Sequence, residues 1–389
     1  MTDRIGGVVR IGRLALVLMM ALTAQAHAAD LTLALNGKPT VVFNSTRDGC
    51  DSNDVPDVNP RAYRDDSGHV SLFALHFVNR ALRGPDFEHL KIDCHIALDS
   101  PLDPDPAHYA DRNFIAATWT RDGRAVSALV HHEYHADQHG RCRVSGDLGC
   151  WYNSILAYRS HDGGTNFGKA TPLVVASAPF IQEVQQGRHR GFFNPSNIVA
   201  DGAYEYAFMS TTGWDGQPFG NCLFRTSDPS NSALWRAFDG TGFTIRFGDP
   251  YKGPSRPKPC ATVAPFTYAV GGIVHHQPSK LWIAVFQAAA GGVLPVDGFY
   301  YATGRDLLHW GAPRLLLAGK TLYGDLCKAG PSIINYPTLL DPHSPSRNFD
   351  ETGNTPELFF TIMQVTGCQT GERMLVRQPL TLTMTNDKP

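Results

Sequence analysis

His131, Glu133 and His135 alternate along a polar run, residues 131–139, that also holds His132, Tyr134, Asp137, Gln138 and His139. Successive side chains of an extended strand point to opposite faces, so these three share one side. Together they would hold a metal, or Glu133 would act as a general acid flanked by imidazoles. A polar rim whose histidines only bond loop backbone is the competing reading. The spacing is not H-E-x-x-H, because His132 and His135 are three apart with Glu133 directly after the first, so a helical zinc-protease site is excluded. Acetal hydrolysis needs a second carboxyl group, and Asp57 is the candidate base or nucleophile. Tyr134 and His135 would remove a proton instead if the chemistry were elimination. Arg61 and Arg112 would form an anion-binding floor, or else pair with Asp57 and Asp111. Asn194, Ser196 and Asn197 offer neutral donors and acceptors, while Tyr134, Trp214 and Tyr336 offer flat faces for stacking or belong to the core.

The elements that must position these residues are short β-type runs. Turns centred on Asp86, Asp162, Asp228 and Asp306 recur at spacings of 76, 66 and 78 residues, each leading to an aromatic residue or leucine. Such an aspartate caps backbone N–H groups of a tight loop, and the apolar residue packs beneath it. Between the turns lie candidate strands at 58–64, 70–78, 114–120, 125–133, 151–159, 203–209, 269–275, 280–287, 332–340 and 357–364. No long segment carries a 3.6-residue apolar period. The pattern predicts an all-β protein, a single β-propeller of five blades over 29–389, with six blades or a β-sandwich as alternatives. The leftover run 31–43 would complete the last blade as its outer strand. Innermost strands and second-to-third strand loops would meet on the face that carries chemistry. Asp162, Asp228 and Asp306 sit in turns on the other face, as scaffold.

Residues 1–28 read as a secretory signal peptide: Arg4, Arg10 and Arg13, an apolar run at 14–23, then Ala26-His27-Ala28. The chain is therefore expected in the periplasm or secreted. A formal charge of −2 offers no electrostatic case for nucleic acid or an anionic membrane. Glycine (37), proline (27) and aromatic residues at 10% fit turn-rich β structure. All eight cysteines follow the signal, an even count that suggests disulfides in an exported chain. Sequence alone leaves the connectivity open, but the strand map makes neighbour pairing economical: Cys50–Cys94, Cys142–Cys150, Cys222–Cys260 and Cys327–Cys368. No C-x-x-C favours thiolate metal ligation.

The stretch Ser160-His161-Asp162-Gly163-Gly164-Thr165-Asn166-Phe167 resembles the Asp-box of the sialidase (BNR repeat) superfamily. Asp306-Leu307-Leu308-His309-Trp310 resembles the corresponding turn of the five-bladed arabinanase, xylosidase and fructosidase propellers. The second resemblance implies an aspartate base, an aspartate modulator and a glutamate acid on the first strands of blades one to three. Asp57 and Asp111 match the first two; blade three offers Asn194 where the acid belongs, leaving Glu133 from a neighbouring loop. The sialidase set fails at Pro60-Arg61, where the arginine follows the proline instead of preceding it. The expectation is a carbohydrate-active enzyme, a glycoside hydrolase, acting as a monomer on a carbohydrate substrate. A polysaccharide lyase using Tyr134, His135, Arg61 and Arg112 is the alternative, as is a non-catalytic binding propeller. No cofactor is expected beyond a structural calcium in the channel.

Overall fold

The computed structural model describes residues 30–144, 147–181, 189–214, 216–253 and 257–385; the expected signal peptide lies outside them. The described residues are all-β, with no α-helix and four short 3-10 turns. Two strands open the chain, β1 (Asp30–Leu35) and β2 (Thr40–Asn44). The first antiparallel unit is β3 (Pro56–Arg64), β4 (Val70–Leu75), β5 (Leu82–Gly84) and β6 (Lys91–Ile92). The second is β7 (Arg112–Thr120), β8 (Val126–His135), β9 (Trp151–Ser160) and β10 (Gly168–Ser177). In the third, β11 (Arg190–Phe193) and β12 (Val199–Asp201) share one edge of β13 (Tyr204–Trp214). It continues through β14 (Gln217–Thr226), β15 (Arg236–Phe238) and β16 (Phe243–Ile245). The fourth is β17 (Val270–His276), β18 (Leu281–Ala288), β19 (Gly298–Gly304) and β20 (Arg314–Ala318). The last is β21 (Ser332–Leu340), β23 (Glu357–Thr366) and β24 (Gln369–Thr385), while β22 (Glu351–Thr352) pairs in parallel with β17.

These units form four hydrogen-bonded sheets instead of separate blades, because a short parallel pairing of β11 with β9 fuses the second and third into ten strands. As expected for the leftover N-terminal run, β1 and β2 both pair with β24 and cover its outer edge. Every residue of β4 is buried, and β7 and β9 are nearly so, because both faces of each unit meet a neighbour. Separate apolar cores lie between consecutive units: Tyr63 and Phe73 meet Ile115 and Val130; Ile155 meets Met209; Phe208 meets Ile273; Val285 meets Phe360. A fifth core closes the series, joining Phe359 and Leu375 of the last unit to Leu72 and Phe87 of the first.

Where the units converge lies Arg61, 2% exposed. Its guanidinium donates to Ala116 O (2.6 Å), Pro195 O (2.9 Å), Gly271 O (2.7 Å) and Thr338 Oγ1 (3.0 Å), one group from each of the other four units. Burial pulls its pKa down to about 9, which still leaves it charged at neutral pH.

The aspartate turns join the third to the fourth strand in the first, second and fourth units, and β14 to β15 in the third. Asp162 accepts from Asn166 N (3.0 Å) and Asn166 Nδ2 (2.8 Å), and Asp306 accepts from Leu308 N (2.8 Å) and His309 N (2.7 Å). Asp86 and Asp228 cap the N–H groups of Glu88 and Ser230, both at 2.9 Å. The four disulfides are Cys50–Cys94, Cys142–Cys150, Cys222–Cys260 and Cys327–Cys368, the neighbour pairing expected from the strand map. They suggest an oxidising environment. No helix among the described residues is long and apolar enough to cross a membrane.

Candidate active site

A cavity of about 310 Å³ opens beside the axis, lined by Asp57, Arg112, His131, Glu133, His135, Asn194 and Tyr336 of the sequence candidates. Val58, His76, Phe114, Trp151, His189 and Phe193 complete its wall. Strand parity places the central three: His131, Glu133 and His135 leave β8 on the same side.

Glu133, with a side chain 14% exposed, has His135 Nε2 at 3.2 Å from Oε2 and His131 Nε2 at 3.9 Å from Oε1. Burial pushes its pKa above the usual carboxylate range, against the pull of His135. Burial moves His131 the other way, to about 3, so it is a neutral imidazole at pH 7. Asp57 has different company. Tyr336 Oη donates to its Oδ1 at 3.0 Å, Arg373 Nη1 pairs with the same oxygen, and His76 Nε2 lies 3.3 Å from Oδ2. Burial and this carboxylate hold the Tyr336 phenol well above its ordinary pKa, so it is a permanent donor. Tyr336 (φ 58°) and Asn194 (φ 44°) both occupy the left-handed region, which costs a bulky residue such as tyrosine strain at this wall.

Arg112 starts β7, and one of its N–H groups meets Gln138 Oε1. Behind it Asp111, 1% exposed, accepts from His135 N (2.9 Å) and lies 3.0 Å from His139 Nε2. Gln138 and His139 lie in the β8–β9 loop, between the end of β8 and the ring closed by Cys142–Cys150. Trp151 stacks on His135 (centroids 4.9 Å, 28° between planes) and meets His189 edge-on. Arg112 Nη1, His76 Nδ1, His131 Nε2 and Trp151 Nε1 are buried without a hydrogen-bond partner. An unmatched group of this kind costs about 1–3 kcal/mol.

Other sequence candidates stand elsewhere. Tyr134 leaves β8 on the face opposite Glu133, packs with Ala136, Cys150 and Tyr152, and donates to Pro104 O (2.8 Å). Arg61 is committed at the axis, and Asp57 pairs with Arg373 in its place. Ser196 Oγ accepts from Phe208 N (2.9 Å) and donates to Asn197 O (2.8 Å). Asn197 bonds both main-chain groups of Ile273, stitching the third unit to the fourth. Trp214 lines a separate cavity of about 650 Å³ with Phe247 and Pro250, and packs on Phe192 (5.0 Å). The metal reading of His131, Glu133 and His135 gives way to hydrogen-bond geometry; among the described residues no cluster of three or more His, Cys, Asp or Glu is arranged to hold a metal. His76 and Arg373 were not singled out in the sequence. The rule applied to the loop after β8 marks His76 when applied to the end of β4; Arg373, at the start of β24, gives no such signal.

No protein-family model matches the chain, and no curated protein matches it. Among solved structures it is similar to an N-acetylgalactosamine deacetylase from F. plautii in complex with blood group B trisaccharide, at 13% identity, covering 90% of this chain and 95% of that one, with a TM-score of 0.49. It is similar also to a GH130-family glycoside hydrolase that targets beta-1,2 mannosidic linkages in Candida mannan, at 10% identity over 89% and 93% of the two chains, TM-score 0.47. A Cellvibrio cellulosa alpha-L-arabinanase complexed with arabinohexaose shares 9% identity over 84% and 91%, TM-score 0.45. At such distances no residue is carried over from one chain to another.

Proposed function

We propose that the chain is an exported glycoside hydrolase built as a closed five-bladed propeller, with Glu133 as general acid and Asp57 as base or nucleophile. The observation that carries this reading is that both carboxyl groups line one cavity in unlike surroundings. One is buried between imidazoles with its pKa raised; the other faces an arginine, a histidine and a phenol. Pairs of titratable groups whose environments differ in this way divide into acid and base. The apolar core shared by the last and first units, and the reach of Arg61 to all the others, support the closed ring. Glu133 would protonate the leaving oxygen while Asp57, oriented by Tyr336 and Arg373, attacks the anomeric carbon or activates water. Trp151, Phe114 and Phe193 supply apolar faces for the sugar's C–H surface, and Asn194 supplies a neutral amide.

Of the four residues the lyase alternative would use, Tyr134 and Arg61 are held away from the cavity, while His135 and Arg112 line it. The discriminating experiment is release of reducing ends without formation of an unsaturated uronate, which elimination would leave, from a polysaccharide panel by wild type, Glu133→Gln and Asp57→Asn. We expect Glu133→Gln to lower turnover about 10²–10⁴-fold, the usual contribution of a general acid. Unchanged turnover in that variant removes Glu133 from the chemistry, and no turnover on any glycan by folded wild type turns the reading toward a binding protein.

A further inference from the structure

We propose that the sugar taken by this cavity carries an oxyanion, a uronate carboxylate or a sulfate ester, received by Arg112. The inference rests on the carbohydrate reading and names the class of sugar. A guanidinium has five N–H donors and no acceptor. Here one of them meets Gln138 Oε1, and Nη1 has no hydrogen-bond partner; the nearest carboxylate oxygen, Asp111 Oδ2, stands 3.7 Å away, beyond hydrogen-bond reach. Oδ2 of that carboxylate accepts from His135 N and lies 3.0 Å from His139 Nε2, while its Oδ1 is buried without a partner. The cavity's own acids are engaged, Asp57 by Arg373 and Glu133 by His135. The same wall holds His76 Nδ1, His131 Nε2 and Trp151 Nε1 without partners, and His131 is only 5% exposed. Arg112 Nη1 and Trp151 Nε1 are donors in every protonation state, whereas an unpartnered ring nitrogen of a neutral imidazole such as His131 either donates or accepts. A sugar hydroxyl brings a donor along with its acceptor, and a guanidinium cannot use that donor. A carboxylate or sulfate brings acceptors alone, and its planar or threefold oxygens match the guanidinium fork.

The test is equilibrium binding by calorimetry to the intact protein, which needs no turnover. The probes are two matched series: D-glucuronate, D-glucose 6-sulfate and D-glucose, then D-galacturonate, D-galactose 6-sulfate and D-galactose. We expect one anionic member to bind at least ~10-fold tighter than its neutral counterpart, the gain of about 1.4 kcal/mol that one charge-assisted contact supplies. Which member wins tells carboxylate from sulfate. Arg112→Met should cut the advantage of the anionic over the neutral sugar below ~2-fold; should that variant fail to fold, Arg112→Lys, which keeps the charge but loses the fork, should cut it at least ~3-fold. Equal binding of charged and neutral sugars, no binding of any probe, or an advantage that survives at Arg112 overturns the inference. Hydrolysis of a neutral glycan that depends on Glu133 would overturn it too, yet leave the hydrolase reading standing.

Discussion

A carboxyl group whose pKa burial raises is costly to ionise in the folded chain. Because the pKa of Glu133 is raised in the folded chain, its contribution to stability is full below the ordinary glutamate value near 4.5 and is lost as pH rises through the raised value. Glu133→Gln should therefore melt with wild type at pH 4 and above it at pH 8, while hydrolysis falls; thermal unfolding at both pH values checks this. His131 and His132 run the opposite way. Both are buried neutral with pKa lowered to about 3, so their contribution is whole above the ordinary value of 6.5 and drains as pH falls from there. Together they should steepen the loss of stability below pH 6 by about 2.7 kcal/mol per pH unit, and His131→Gln should halve that share in denaturant titrations between pH 7 and pH 4. Several of these residues were legible in the sequence because period-two spacing put His131, Glu133 and His135 on one face. The same parity puts Tyr134 on the other face, so its expected catalytic role conflicted with a rule already in use. His189 and Arg373 were not legible, since they come from element ends that only tertiary packing brings to the cavity.

At the scale of elements, the loop clamped by Cys142–Cys150 and the turn clamped by Cys50–Cys94 should separate stability from function. Their sequence separations are 8 and 44 residues. In the chain-entropy view, losing the first costs about 2.5 kcal/mol and the second about 4. The order for activity should be reversed, because only the first lies in the loop that carries Gln138 and His139 to Arg112 and Asp111. Melting curves and turnover of the two paired Cys→Ser variants decide it. The aspartate turns make the complementary case: Asp162→Ala should cost about 1 kcal/mol of stability, as lost caps do, and leave turnover unchanged. These turns were readable because their chemistry is local, an aspartate and an aromatic within eight residues. The β9–β11 pairing was not, because nothing in residues 190–193 announces a parallel partner across a unit boundary.

For the whole molecule, the all-β class and the pairing of the N-terminal run with the last strand were legible, whereas the central place of Arg61 was not. Arg61 looked like a ligand-binding arginine because a sequence shows charge and not depth. Its replacement by methionine would strand acceptors from four units at once, and we expect a loss of more than about 4 kcal/mol in denaturant unfolding, with little soluble protein recovered. The pairing of β1 with β24 sets a further condition. Leu35 waits for Leu380, and Asp30 waits for Thr385, before either finds its partner. The first-made strand thus stays idle through nearly the whole of synthesis, and contacts so remote in sequence make assembly slow. A chain stalled or clipped before its final strand would hold several finished units and still leave β1 and β2 with no strand to pair with.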